Sequence, residues 1–201
     1  MTHSTDTPRG DDAVQADGRK RRRIVNRQKC LAALVDLVRE GHLEPGAEDV
    51  ARRAGVGLRT VFRLFDDMEG LYRGCADIVR AEVMPLVEQP LLGETLDARI
   101  DELVTRRMEV FERIMPFRTF SDVHRHKSHY LQTGYDNLVA QQRATLVRAV
   151  GEATRLGTRT FEALDLLLSF ESWRRLRQDQ KLSRTKARDT LLAAARAILG
   201  L

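Results

Sequence analysis

The residue types that could do chemistry gather in two places. One is His124-Arg125-His126-Lys127-Ser128-His129, three imidazoles within six residues. Imidazoles ligate metals or shuttle protons, but a metal site needs ligands that converge on one point. Two histidines separated by one residue point to different faces of a helix, the HExxH spacing is absent, and no nearby cysteine or carboxylate pair completes a ligand set. The stretch therefore reads as a polar loop between helices, and neither a metal nor a cofactor is expected. The sequence also has no phosphate-cradling glycine loop and no nucleophile elbow, so no catalytic residue is nominated and the chain is not read as an enzyme.

The second place is a concentration of positive charge. The chain carries +5 overall, yet residues 1–18 hold one Arg against four Asp, residues 19–65 hold twelve Lys/Arg against five Asp/Glu, and residues 66–201 are nearly balanced at 21 against 20. Such an excess over so short a segment is the electrostatic footprint of a polyanion-binding module, because neutralising phosphates releases counterions. A solvated basic face is the alternative that charge alone leaves open. The excess starts with Arg19-Lys20-Arg21-Arg22-Arg23, which could lie along phosphates or reach into a minor groove.

These residues need elements to position them, and the pattern is all-α. Aromatic residues are only 5%, prolines number five, and no strand-like alternation appears. Residues 1–18, with Pro8, Gly10 and Gly18 and no apolar period, read as a disordered tail. A helix follows from the basic run through Ile24, Leu31, Val35 and Val38, and ends at Gly41. Beyond Pro45-Gly46 come two short helices, 48–54 and 58–65, around the turn Gly55-Val56-Gly57. In the second, Val61 and Phe65 stand four apart and face a core, while Arg59, Thr60 and Arg63 point elsewhere. That arrangement is a helix-turn-helix.

From Asp67 the pattern lengthens into helices interrupted at Pro85 and Pro90, then 96–115 closed by Pro116, a short 117–123 piece, and 130–152, 161–178 and 183–199, the last capped by Ser183. The expected organisation is a tail at 1–18, a helix-turn-helix domain at 19–66 and a helical domain at 67–201. Apolar runs are too short to span a bilayer, which predicts a cytoplasmic protein with no membrane partner. Cys30 and Cys75 have neither disulfide nor zinc spacing and serve as small apolar groups.

The run Glu48 to Phe65, EDVARRAGVGLRTVFRLF, resembles the signature of the TetR/AcrR family of transcriptional regulators. The resemblance covers about residues 24–73 and rests on the Ala54-Gly55-Val56 turn, Thr60 early in the recognition helix and the aromatic ending Phe62 to Phe65. It departs at Gly57, where a capping Ser is usual, at Phe62, where a Tyr often reaches phosphate, and at Met68, where a Lys is common. The resemblance implies a ligand-responsive regulator, by family default a repressor, that binds double-stranded DNA as a homodimer. A constitutive structural DNA-binding protein whose C-terminal part serves only dimerisation is the alternative. Expected at the DNA are Arg21, Arg22, Arg23, Gly57, Leu58, Arg59, Thr60, Phe62 and Arg63, with Arg59 first for a guanine contact. The family's effector cavity among the middle helices implies a small-molecule effector and a lining drawn from Met108, Phe111, Met115, Phe117, Phe120, Tyr130 and Tyr135. Its two-fold pairing of the last two helices implies an interface at Leu164, Leu167, Leu168, Trp173, Leu192 and Ala195.

Overall fold

In a computed structural model, residues 10–151 and 156–201 are described, and among them every regular element is helical. The elements are α1 (Gly10–Arg39), α2 (Ala47–Ala54), α3 (Leu58–Phe65), α4 (Met68–Glu88), α5 (Leu96–His124), α6 (His129–Val150), α7 (Thr158–Leu167), α8 (Phe170–Arg174) and α9 (Arg184–Leu199). A 3-10 turn, Arg125–Lys127, joins α5 to α6, and a π-type turn, Arg175–Asp179, extends α8. The chain divides into two compact units between Cys75 and Ala76, inside α4, where the sequence pattern places the boundary at 66.

The first unit closes around one face of α1. Cys30, Leu31, Leu34, Val35, Leu37 and Val38 are buried against Val50 and Ala51 of α2, Val61, Leu64 and Phe65 of α3, and Leu71 and Cys75. Burial pushes the Cys75 thiol up to about 12, so it packs as an apolar group. At its far end α1 is tied to α2 by a two-pronged pair, Arg53 to Glu40 at 2.7 and 2.6 Å. α1 begins at Gly10, so residues 10–18 of the expected tail stand within a helix, while residues 1–9 lie outside the described residues.

The second unit is organised by α5, which packs against α6, α8 and α9. Ile100, Leu103, Val104, Val110, Phe111, Ile114, Phe117 and Phe120 form its buried stripe. α9 is fastened along it by Arg188 to Asp101 at 2.7 Å and Arg196 to Asp97 at 2.6 Å.

Two expected breaks are absent and one unexpected break appears. α5 runs unbroken past Pro116, because buried Val110, Phe111 and Ile114 before it and Phe117 and Phe120 after it hold one axis despite the lost backbone bond. α4 likewise contains Pro85. The helix expected over 161–178 instead stops at Leu168, where the Ser169 hydroxyl donates back to the Leu166 carbonyl at 2.7 Å and accepts from the Ser172 N–H at 3.2 Å, starting α8. Ser183 caps α9 as expected, accepting from the Lys186 N–H at 3.2 Å.

Candidate nucleic-acid interface and ligand cavity

α2 ends in a reversal that only glycine takes without strain. Gly55 has φ 66° and ψ 36°, the Val56 N–H bonds back to the Ala51 carbonyl at 3.0 Å, and the Gly55 N–H bonds to Arg52 at 3.3 Å. This pair of bonds satisfies carbonyls that the helix end would otherwise leave open. Gly57, extended at φ −70° and ψ 147°, then starts α3 with no side-chain cap, its carbonyl accepting from Thr60 at 2.8 Å.

α3 is two-faced. Val61, Leu64 and Phe65 are buried, whereas Leu58, Arg59, Phe62 and Arg63 are exposed along one stripe, with Thr60 half-buried at its edge. Of these, Arg59 and Arg63 make no ion pair among the described residues and offer forked donors to base edges or phosphates. Phe62 is 47% exposed, an apolar group with no hydroxyl for a phosphate. Arg21, Arg22 and Arg23 are also exposed, but they form a turn of α1 rather than an extended arm. Successive helical residues point about 100° apart, so the three cannot all address one strand. The Arg27 guanidinium lies 5.0 Å from the Phe65 ring centre, a contact between α1 and α3 that no sequence pattern announced.

The helical unit holds a partly open cavity of about 430 Å³ lined by α5, α6 and the 87–91 segment. Its apolar wall includes Leu103, Val110, Phe111 and Leu138. Phe111 alone comes from the expected lining, because Met108, Met115, Phe117, Phe120, Tyr130 and Tyr135 do not border it. Phe117 and Phe120 are core, the Phe120 ring lying 4.6 Å from that of His124, and Tyr135 is held between the guanidinia of Arg118 and Arg125, each 4.4 Å from its ring. Met108, Met115 and Tyr130 are half-buried outside this cavity.

Composition also missed the cavity's cations, Arg99, Arg106, Arg107 and Arg148, faced by one lining carboxylate, Glu88. The signal was there in one case. Arg107 stands among Ile100, Leu103, Val110 and Ile114, a charged residue on an apolar stripe. It is 7% exposed, its Nη1 donates to the Leu168 carbonyl at 2.8 Å, and its Nη2 donates to the Gln142 carbonyl and to Thr145 Oγ1. Its Nε is buried without a partner. Burial lowers this guanidinium to about 10, opposed by the field of Asp165, and it remains charged at neutral pH.

The residues expected at a dimer interface lie mostly inside the fold. Leu164, Leu168, Trp173, Leu192 and Ala195 are buried inside their own unit, and Leu167 is half-buried. Trp173 is fully enclosed with its indole N–H on Glu112 Oε1 at 3.0 Å. A side chain already enclosed by its own chain has no surface to offer a second copy. The outward positions of the same helices are Leu166 at 71% exposed, Ala193, Ala197 and Ile198. The histidines at 124, 126 and 129 sit around the 3-10 joint, and no group of three or more metal-binding side chains gathers among the described residues. Nor is any described helix long and apolar enough to cross a membrane.

No family model matches the sequence, and no curated protein matches it. Among solved structures, the chain is similar to the crystal structure of a protein described as a TetR-family transcriptional regulator from Rhodococcus sp., with TM-score 0.60 and 19% identity over 86% of this chain and 98% of that one. At that identity the likeness speaks for the backbone: this chain has the all-helical fold of a TetR-family transcriptional regulator.

Proposed function

We propose that the protein is a ligand-responsive transcriptional regulator, a repressor, which binds operator DNA as a homodimer and responds to a small molecule held in the cavity between α5 and α6. The observation that carries the DNA-binding reading is the divided surface of α3. Its inner residues are consumed by packing, and the outer stripe of Leu58, Arg59, Phe62 and Arg63 is left free on a rod of the right size for a major groove. Arg59, in the first turn, is assigned to a guanine edge, and Arg63, Thr60 and the Gly57 backbone to nearby phosphates. From within α1, the exposed run Arg21, Arg22 and Arg23 supplies a further phosphate contact through whichever of its side chains faces the duplex.

A single recognition helix reads only a few base pairs, so a two-fold partner is needed for a full operator. The surface proposed for it is the outer face of α7 and α9, where Leu166 and Ile198 are exposed apolar groups and Ala193 and Ala197 permit close approach. A cavity of this size, with an apolar wall and a set of cationic and polar groups beside it, supports the effector reading over a purely structural DNA-binding role.

The test is duplex binding measured by fluorescence anisotropy across a salt series, followed by selection from a randomised duplex pool. The expected result is affinity that falls steeply with salt and a selected sequence with two-fold symmetry. Absence of duplex binding even at low salt overturns the proposal.

A further inference from the structure

Arginines elsewhere in the helical unit show how this protein treats a guanidinium. Arg118 is as buried as Arg107, yet it holds Glu171 at 3.0 Å and lies over the rings of Tyr135 and Phe170. Arg125, Arg143, Arg174, Arg177, Arg184, Arg188 and Arg196 each have a carboxylate within salt-bridge distance as well. The four cavity arginines do not. Arg99 donates to the carbonyls of Ala149, Gly93 and Glu94, and Arg106 to those of Gln89 and Pro90. Arg107 holds two carbonyls and one hydroxyl. Among the described residues no carboxylate lies within ion-pair range of any of the four, and Asp165, whose field reaches Arg107, is itself bonded to Arg143 at 2.7 Å.

A buried cation held only by neutral oxygens is costly, and an unused guanidinium N–H makes a charge-assisted bond to a carboxylate. Carbonyls orient Arg107 without neutralising it, and they leave its Nε–H unused. Beside it, Leu103, Val110, Phe111 and Leu138 form an apolar wall with no use for a second charge. We infer that the cavity binds an amphipathic organic anion, a carboxylate with an apolar tail, whose carboxylate pairs with Arg107 while its tail lies along Leu103, Val110, Phe111 and Leu138. Arg99, Arg106 and Arg148 give the surrounding wall the same sign, which draws anions in and disfavours cations and, more weakly, neutral analogues.

The inference rests on the ligand-responsive reading of the cavity and names the class of its ligand. The test compares acids with their neutral isosteres on the full chain: octanoate against octanamide, and 4-butylbenzoate against 4-butylbenzamide, by calorimetry and thermal shift at pH 7. At least one acid should bind about ten- to a hundredfold tighter than its amide, the range expected for a charge-assisted pair against a neutral one. In Arg107→Met that advantage should fall to within about twofold while the amide still binds. Leu138→Trp, which fills the cavity and spares the cation, should abolish binding of both and guards against a failure of Arg107→Met to fold. Equal binding of each acid and its amide to the wild-type protein, or no binding of either pair, overturns the inference. Duplex binding is measured on the same preparation. If it persists when acids show no preference, the anion inference falls and the regulator reading stands; if acids bind through Arg107 and duplexes do not bind, the reverse holds.

Discussion

The two units of this protein use arginine in opposite ways. In the first, Arg21, Arg22, Arg23, Arg59 and Arg63 stand in water on helix surfaces, and Arg53 alone makes a two-pronged pair, with Glu40. In the second, eight arginines are bound to carboxylates, and four more line a cavity with no carboxylate among the described residues in ion-pair range. A surface guanidinium costs little and waits for a polyanion; a buried one must be oriented by its own fold and is useful only if something enters to neutralise it. Function is therefore carried by a visible face in one unit and by an enclosed cation in the other.

The sharpest way to test that contrast is to remove the enclosed core of the second unit. Trp173→Ala should destabilise the helical unit by about 3–5 kcal/mol, from lost burial and the cavity left behind, measured by denaturant unfolding. A change below about 1 kcal/mol would mean that Trp173 is not the packed centre described here. Next is Arg59→Ala, which should cost about 1–3 kcal/mol of discrimination at one base position if it reads guanine, with folding stability within about 0.5 kcal/mol of wild type. A uniform loss over all duplexes would reassign Arg59 to phosphate.

Gly55→Ala should cost about 1–2 kcal/mol of stability in the first unit, because the αL conformation at φ 66° places a Cβ against its own carbonyl. An unchanged melting temperature would show that the turn relaxes. Leu166→Arg should leave folding stability within about 0.5 kcal/mol and shift the protein from dimer to monomer in analytical ultracentrifugation. Persistent dimers would move the two-fold axis away from α7.

Acid gives the smallest effect. Glu40, Asp97 and Glu162 are held below the usual carboxylate range, in each case first by a hydrogen bond from an arginine, Arg53, Arg196 and Arg143 respectively. A depressed carboxylate contributes stability that is present above its unfolded value, 4.5 for Glu and 3.8 for Asp, and is lost as pH falls through the folded value. Arg196→Gln should therefore reduce stability slightly at pH 7 and converge with wild type in strong acid. A constant gap across that range would show that the Asp97 pair contributes nothing through charge.

The first unit was largely legible in the sequence. Two of its helices are short, helix ends are marked by Gly41, Gly55 and Gly57, and Val61 and Phe65 declare the buried face of α3 by spacing alone. Placing the basic run in a helix was less legible, because a string of arginines has no apolar period of its own. In the second unit the helices were legible, but the continuity of α5 past Pro116 and the break at Ser169 were not. Each depends on which side chains and hydroxyls find partners far along the chain.

By itself the sequence determined an all-helical chain, a helix-turn-helix at 48–65 and a concentration of positive charge over it, since period, turn residues and charge are local properties. Tertiary structure decided that Trp173, Leu164 and Ala195 are core, that Leu166 is surface, and that Arg107 faces a cavity without a carboxylate beside it. A helix has one apolar stripe whether it packs on its own chain, on a second copy or around a ligand. Only the positions of the other helices tell these uses apart.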